Sequence, residues 1–241
     1  MRLLLGSGGM STDERRAAWK AAFDAFLGDV RTVAFVPYAS DASRQDRYIE
    51  VMREWHPNHE IRSLHETDDP VGLVNEVPAL YMGGGNSFLL LRTLQDQGLL
   101  EPIRERVRGG MPYIGVSAGT NMACPTMRTT NDMPIVTPDD FDSLGLIPFQ
   151  INPHYFAGKT FIERGDGYIA YGGETRDDRL REFHEQNAMP VVGLWEGGWL
   201  RVEDGDAVVE GASARVFVRG EEPADVGPGT SLGHLLASSP A

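Results

Sequence analysis

Short apolar runs alternate with amphipathic stretches along most of the chain. Runs of this kind that end in Gly, Pro or Ser are typical of buried strands, whereas apolar residues three or four apart are typical of helices. The predicted strands are residues 3–5, 32–37, 79–82, 112–116 and 189–195, and the predicted helices are residues 12–27, 44–55 and 88–97. A strand followed by a helix, repeated in this way, predicts an α/β fold with a mostly parallel sheet covered on both faces.

The last part of the chain has a different pattern. Residues 199–202, 207–210 and 214–219 are short alternating stretches separated by turn residues, which predicts C-terminal antiparallel hairpins. From Gly220 onward, Gly, Pro, Ser and acidic residues dominate. We therefore expect one domain over residues 1–219 and a loosely packed or disordered tail over residues 220–241.

The composition of the chain limits which binding partners and which cellular locations are expected. The formal net charge of −13 disfavours nucleic acid and anionic membranes as partners, because both are negatively charged. No apolar run approaches the ~18 residues that cross a bilayer. The single cysteine, Cys124, excludes an internal disulfide, and no HExxH motif or closely spaced Cys/His group occurs. We expect a soluble cytoplasmic protein, a monomer or homodimer, without a metal or cofactor.

The sequence Gly115-Val116-Ser117-Ala118-Gly119 follows a predicted strand. It matches the GxSxG pattern of a nucleophile elbow, in which a serine is presented at a sharp turn from strand to helix. The amide of Ala118 would then lie at a helix N-terminus and point towards a developing oxyanion. An ordinary turn from strand to helix is the alternative, since a chain with 28 glycines gives this short pattern by chance.

A serine nucleophile needs a base. Of the six histidines, His154 ends an apolar run directly after Asn152-Pro153, which would place its imidazole at a strand end. His56, His59 and His65 are interpreted as polar surface positions. A structural role remains the alternative for His154.

The base needs a carboxylate to orient it, and two acids compete for this role. Glu196 follows the predicted strand at residues 189–195, whereas Asp132 lies in a loop after Ser117. The acid that does not orient His154 would be free to hold a substrate ammonium group. Either acid is also compatible with a solvated loop position, which is commoner.

Two further segments carry candidate binding groups. The loop Gly83-Gly84-Gly85-Asn86 follows a predicted strand, so its amides can approach a ligand and complement Ala118 as oxyanion donors. A phosphate loop or a tight turn is the alternative, although the lysine of a P-loop is missing. Glu174 and Thr175 open a predicted helix, where Arg176 is suited to a bidentate grip on a carboxylate or to a surface ion pair.

Together these segments resemble the peptidase E (α-aspartyl dipeptidase) family of serine peptidases. The resemblance covers most of the chain in order, and its longest segment is the most specific. It rests on GGGNSFLLL at 83–91, YIGVSAGTNMACPTMRTTNDMPIV at 113–136, LIPFQINPH at 146–154, GETRDDRLREF at 173–183 and GLWEGGW at 193–199.

The resemblance implies a flavodoxin-like or class I glutamine-amidotransferase-like three-layer α/β sandwich. It implies Ser117 as nucleophile, His154 as base, and Asp132 or Glu196 as the third member. We favour Glu196, because the end of a predicted strand is where Ser117 and His154 are also expected. It also implies Gly85 and Ala118 as oxyanion donors.

The activity that the resemblance implies is metal-free removal of an N-terminal aspartate from short peptides. Arg176 and Asn86 are the expected donors to the aspartyl side chain, and Glu174 is a further candidate for substrate binding. The chain departs from the family in one place. The segment at residues 155–173 is longer than expected, and it would reshape the pocket or form a lid.

Three other functions stay open. The first is a related serine hydrolase with a different acidic or short-peptide substrate. An α/β-hydrolase-type esterase would use Ser117, Asp132 and His154 in that chain order, although that fold normally separates them by longer segments. A catalytically silent peptide-binding or amino-acid-binding protein would keep the scaffold without turnover. The presence of Ser117, His154 and both acids argues against a protein without catalytic activity.

Overall fold

The computed structural model describes residues 1–237. Within them the strands are β1 (Leu3–Gly6), β2 (Thr32–Val36), β3 (Glu60–Ser63), β4 (Leu80–Met82), β5 (Tyr113–Val116), β6 (Gln150–Tyr155), β7 (Phe161–Arg164), β8 (Gly167–Ala170), β9 (Val191–Trp195), β10 (Trp199–Glu203), β11 (Asp206–Glu210), β12 (Ala214–Phe217) and β13 (Ala224–Val226). The helices are α1 (Asp13–Leu27), α2 (Ala42–Trp55), α3 (Pro70–Glu76), α4 (Ser87–Asp96), α5 (Leu100–Arg108), α6 (Ala118–Ala123), α7 (Arg176–Gln186) and α8 (Gly233–Leu236).

The main sheet has seven strands in the order β11-β10-β1-β5-β4-β2-β3. β1, β5, β4, β2 and β3 are parallel, while β10 and β11 extend the sheet antiparallel. Leu3 and Leu5 of β1 belong to one apolar core and Leu4 to the other, because successive side chains point to opposite faces of a strand. The predicted α/β class with a mostly parallel sheet is confirmed.

Helices cover both faces of this sheet. α1 and α2 supply Trp19, Phe23, Phe26, Ile49 and Met52 to the core on one side. α3 to α6 cover the other side, chiefly with Leu and Val side chains. The predicted α1 begins directly after Thr12, whose hydroxyl accepts the N–H of Arg15 as an N-cap.

A second sheet has the order β13-β12-β9-β6. Ser7, directly after β1, hydrogen-bonds to β6 and β9, so this sheet lies beside the carboxyl end of β1. β9 is parallel to β6 and antiparallel to β12. The prediction of antiparallel hairpins is confirmed, since β10 pairs with β11 and the third predicted stretch, residues 214–219, pairs through β12 with β13. Its strand β12 crosses to the second sheet, where Ala214, Val216 and Phe217 are buried.

Residues 220–237 do not form the loosely packed segment that their composition predicts. β13 pairs with β12, and Leu232 and Leu235 are 2% and 3% exposed in the main apolar core. These few apolar side chains bury enough surface to order a polar segment. The rest of the predicted tail, residues 238–241, lies outside the described residues.

Two histidines also depart from the expectation of polar surface positions. His56 is 1% exposed and His59 is 9% exposed, and both pack against Phe23 of α1. Both lie in the segment that follows α2, and their rings pack this segment against α1. Among the described residues, no helix is both long and apolar enough to cross a membrane.

Candidate active site

Ser117 lies between β5 and α6, at the carboxyl end of the parallel sheet. Its φ is 56° and its ψ is −110°, an unusual conformation for a residue with a side chain. The Ser117 N–H donates to the carbonyl of Gly6 at 3.0 Å, and the Ser117 carbonyl accepts the N–H groups of Thr120 and Asn121. A Cβ at Gly119 would lie 2.1 Å from the Met82 carbonyl oxygen, which explains the glycine two residues after the serine. The predicted sharp turn is present.

His154 lies beside Ser117. Ser117 Oγ and His154 Nε2 are 2.7 Å apart, and His154 Nδ1 lies 2.5 Å from Glu196 Oε1. An ionised carboxylate only accepts hydrogen bonds, so Nδ1 carries a proton and Nε2 of the neutral ring accepts from the serine hydroxyl. Serine, histidine and glutamate therefore form a continuous hydrogen-bonded chain with the polarity that proton transfer requires.

The two competing acids occupy different places. Asp132 Oδ2 accepts from the N–H of Ser87 at 2.8 Å, from its hydroxyl at 2.7 Å and from Thr130 Oγ1 at 3.0 Å. It thus lies at the N-terminus of α4, where the helix dipole favours a negative charge. Glu196 is the acid bonded to His154, and it follows His154 in the chain. The order Ser-Asp-His of an α/β-hydrolase-type esterase does not match this geometry.

The glycine loop after β4 lies against the serine. A Cβ at Gly84 would be 3.2 Å from Ser117 Cβ. The Gly84 N–H is already used by the Tyr48 hydroxyl at 3.0 Å. Within residues 1–237, the N–H groups of Gly85 and Ala118 have no acceptor, so both are free for a ligand oxygen.

Arg176 begins α7 and reaches back towards the site. Its Nη1 donates to Asn131 Oδ1 at 2.5 Å, and Asn131 Nδ2 donates to the carbonyl of Pro153, the residue before His154. The Arg176 Nε is buried and unpartnered among the described residues, and no carboxylate within them forms an ion pair with this guanidinium. Burial, with a smaller contribution from Arg179, lowers the pKa of Arg176. An unpaired, half-buried cation of this kind is suited to an anionic ligand group.

The other two candidates for substrate binding have different surroundings. Asn86 caps α4, since its Oδ1 accepts the Leu89 N–H at 3.0 Å, and its Nδ2 donates to the carbonyl of Met133 at 2.8 Å. One Nδ2 hydrogen is left for a ligand. The Glu174 side chain is 63% exposed and lies 3.6 Å from Arg179 Nε. Glu174 is therefore not brought together with the other site residues.

The long segment at residues 155–173 begins next to His154. Tyr155 is still in β6 and buried, and its hydroxyl bonds to Asp177. Phe156 packs against Arg176, with the guanidinium carbon 5.6 Å from the ring centroid. β7 and β8 then form a separate two-stranded hairpin whose eight strand residues are all exposed.

Sequence reasoning missed the loop after β1. A Cβ at Gly8 would lie 2.6 Å from His154 Cε1, and a Cβ at Gly9 would lie 1.4 Å from Glu196 Oε2. Ser7 is fully buried and bonds to the His154 backbone. The only available signal was the Gly6-Ser7-Gly8-Gly9 sequence after a predicted strand, which indicated no more than a turn.

Known proteins are similar to this chain along nearly its whole length. The model of peptidase family S51 matches residues 2–209. Peptidase E of Streptomyces coelicolor is 47% identical over 242 residues, which cover 98% of this chain and 95% of that protein. A probable alpha-aspartyl dipeptidase of Drosophila melanogaster is 41% identical, covering 86% of this chain and 85% of that protein.

Solved structures show the same fold. The crystal structure of a peptidase from an acI-B1 Actinobacterium has a TM-score of 0.68 at 17% identity and covers 96% of both chains. A putative peptidase E from Listeria monocytogenes has a TM-score of 0.60 at 19% identity, covering 94% of this chain and 98% of that one.

Proposed function

Because the chain belongs to peptidase family S51 and is a peptidase, we propose that it removes an N-terminal aspartate from short peptides through an acyl-enzyme on Ser117. The observation that carries this proposal is the hydrogen-bonded chain from Ser117 through His154 to Glu196, with distances of 2.7 and 2.5 Å. This chain supplies a nucleophile, a base and a group that orients the base.

The proposed reaction has two halves. His154 Nε2 takes the Ser117 hydroxyl proton as Oγ attacks the carbonyl carbon, and the free N–H groups of Gly85 and Ala118 hydrogen-bond to the oxyanion. His154 then gives the proton to the departing amine, which leaves an ester on Ser117. A water molecule, deprotonated by His154, attacks this ester, and His154 returns the proton to Ser117 Oγ as the ester bond breaks and aspartate is released. Glu196 stays ionised and stabilises the imidazolium.

Arg176 supports the proposed preference for aspartate. The β-carboxylate of an N-terminal aspartate would pair with the guanidinium, and the remaining Nδ2 hydrogen of Asn86 would add a second donor. Asp132 keeps Oδ1 for the substrate ammonium, since the three hydrogen bonds described above all go to Oδ2. A neutral side chain would leave the guanidinium unpaired, which gives strong discrimination.

The first test compares hydrolysis of Asp-Leu, Asn-Leu, Glu-Leu and Gly-Leu in the presence of a chelator. Wild type is expected to release aspartate from Asp-Leu at the highest kcat/KM, and Ser117→Ala is expected to release none above background. If Ser117→Ala retained the wild-type rate, the proposed nucleophile would be wrong. Equal rates on all four peptides would contradict the aspartate preference but not the nucleophile.

The preference itself is tested with Arg176→Gln, matched by Arg179→Gln on the same helix. We expect Arg176→Gln to lower kcat/KM for Asp-Leu about 10²- to 10³-fold, because the carboxylate loses a charge-assisted partner. Arg179 is exposed and pairs with Glu174, so its replacement should leave kcat/KM nearly unchanged. Equal losses in both variants would mean that Arg176 has no specific part in binding aspartate.

A further inference from the structure

Ser7 lies between the two sheets, immediately after β1, and its side chain is fully buried. Its Oγ accepts a hydrogen bond from the backbone N–H of His154 at 2.8 Å and donates one to the carbonyl of Leu194 at 2.9 Å. The hydroxyl thus joins β6 and β9 at the height of His154.

This bridge fills a break in the β6–β9 ladder. Asn152 pairs with Gly193 and Tyr155 pairs with Trp195, so two residues of β6, Pro153 and His154, lie opposite Leu194 alone. A bulge of this type takes an N–H out of the ladder and redirects the side chain beside it. Here the displaced N–H belongs to His154, and the Ser7 hydroxyl stands where the ladder partner would be.

The bulge also holds His154 in a strained backbone conformation. The φ of His154 is 55°, in the left-handed region that only a few per cent of residues other than glycine adopt. Such a conformation persists only where its surroundings fix it. The donation to Ser7 fixes the backbone of His154. Gly8 lies so close to the ring that a side chain there would collide with it.

We propose that Ser7 is a positioning residue for the general base, an inference that rests on the proposed function of Ser117 and His154. By holding the His154 N–H, the Ser7 hydroxyl directs Nε2 to Ser117 Oγ and Nδ1 to Glu196 at the same time. Removing the hydroxyl leaves the buried His154 N–H without its acceptor. The bulge then relaxes by moving the imidazole, and small displacements of a catalytic group are costly.

The test uses Ser7→Ala with Ser63→Ala as the matched control. Ser63 is also a buried serine at the end of a strand in the main sheet, but its hydroxyl bonds to Phe35 and His65 at the far edge. We expect Ser7→Ala to lower kcat for Asp-Leu about 10- to 100-fold with KM changed less than about twofold, because the loss affects chemistry and not binding. Ser63→Ala is expected to keep the wild-type kcat.

A conservative variant separates positioning from packing. Ser7→Cys keeps a hydrogen-bonding group at this position, although sulfur is larger than oxygen and is a weaker donor and acceptor, so its kcat should fall between wild type and Ser7→Ala. A wild-type kcat in a folded Ser7→Ala protein would overturn the inference. So would a loss confined to KM, or a Ser7→Cys variant no more active than Ser7→Ala.

Covalent labelling of Ser117 by a fluorophosphonate keeps this inference distinct from the substrate proposal. The labelling rate measures activation of the serine without any peptide, and it should fall in Ser7→Ala as kcat does. If wild type were labelled but cleaved no Asp-X peptide, the aspartate preference would fail and the labelling rates would still decide the role of Ser7. If wild-type Ser117 were not labelled and no peptide were cleaved, both proposals would be wrong.

Discussion

At the scale of single residues, the site is built on two strained backbones. Ser117 and His154 have φ values of 56° and 55°, and such conformations cost about 1–3 kcal/mol each. Each residue is held by its own backbone N–H, and both N–H groups donate to the segment Gly6-Ser7. The Ser117 N–H donates to the Gly6 carbonyl and the His154 N–H to Ser7 Oγ. The end of β1 therefore sets the distance between the proposed nucleophile and base.

The two acids give opposite predictions for kcat and KM. We expect Glu196→Gln to lower kcat about 10²- to 10⁴-fold with a small change in KM, because an amide no longer stabilises the imidazolium and can hold the wrong tautomer of His154. We expect Asp132→Asn mainly to raise KM for Asp-Leu, because it weakens the hold on the substrate ammonium. Steady-state kinetics of the two variants, each of which conserves side-chain volume, measure this difference.

The reverse pattern would exchange the roles of the two acids. A large loss of kcat in Asp132→Asn with little loss in Glu196→Gln would make Asp132 the functional partner of His154. Thermal unfolding of both variants provides the control, since Asp132 also caps α4 and its loss is expected to cost about 1 kcal/mol.

The sequence indicates which residues belong to this site better than it indicates which of them hydrogen-bond to each other. Ser117 stands out through GxSxG, and His154 and Glu196 each follow an apolar run. Sequence favoured Glu196 over Asp132 only through its place at a predicted strand end, because the contact with His154 depends on the pairing of β6 with β9. Ser7 gave no signal, since a serine after a short strand matches no periodic or catalytic pattern.

At the scale of elements, local patterns predict the strands and helices but not their partners. α1, α2 and α4 begin within two residues of their predicted starts. Residues 189–195 were correctly predicted as a strand, yet β9 belongs to the second sheet and not to the main one. Pairing depends on contacts distant in sequence, which periodicity does not report.

The β7–β8 hairpin is the element least attached to the rest of the fold. All eight of its strand residues are exposed, including Phe161, Ile162, Tyr168 and Ile169. A two-stranded hairpin with no buried face has little stability of its own. Its place between His154 and Arg176 indicates an influence on the site and not on the core.

Excision of this hairpin tests whether it influences the site and not the core. The Tyr171 N–H donates to the Thr160 carbonyl at 2.7 Å, so an Asn-Gly turn can replace residues 161–170 without moving their ends. We expect the free energy of unfolding to change by less than about 1 kcal/mol, because no strand residue of the hairpin is buried. Denaturant unfolding of the shortened and full-length chains measures the change.

A large loss of stability on excision would show that the hairpin is part of the folded core. The kinetic comparison is separate: a changed KM for Asp-Leu at unchanged stability is expected if residues 155–173 shape the pocket. Unchanged KM and kcat would exclude such a part in dipeptide cleavage.

At the scale of the whole molecule, one buried polar cluster affects stability without touching the proposed site. The rings of His56 and His59 lie under α1 beside Phe23, and within residues 1–237 none of their nitrogens has a hydrogen-bond partner. Burial, assisted by the charge of Lys20, lowers the pKa of His56 to about 4, although Asp24 opposes this. Burial also lowers the pKa of His59, again against the opposing charge of Asp24.

The sign of the resulting pH dependence follows from linkage. Between the pKa of an unfolded histidine, ~6.5, and that of folded His56, only the unfolded chain binds the proton, so lowering the pH favours unfolding. The His56 contribution is zero above ~6.5 and grows as the pH falls towards 4, reaching about 3 kcal/mol of lost stability. Titration of the many carboxylates is superimposed on this trend, so only a difference between variants isolates the histidine.

We therefore compare His56→Gln with wild type and with His234→Gln, whose histidine is exposed. The free energy of unfolding should fall between pH 7 and pH 4 in both proteins. Because His56→Gln removes the titrating group, its decrease should be smaller than that of wild type by up to about 3 kcal/mol. His234→Gln should follow the wild-type curve. Denaturant unfolding at half-unit pH steps measures all three, and parallel curves for His56→Gln and wild type would mean that His56 does not drive acid unfolding. Any effect on stability that depended on pH would then have to come from the other histidines or from carboxylates, since both kinds of group titrate in this range.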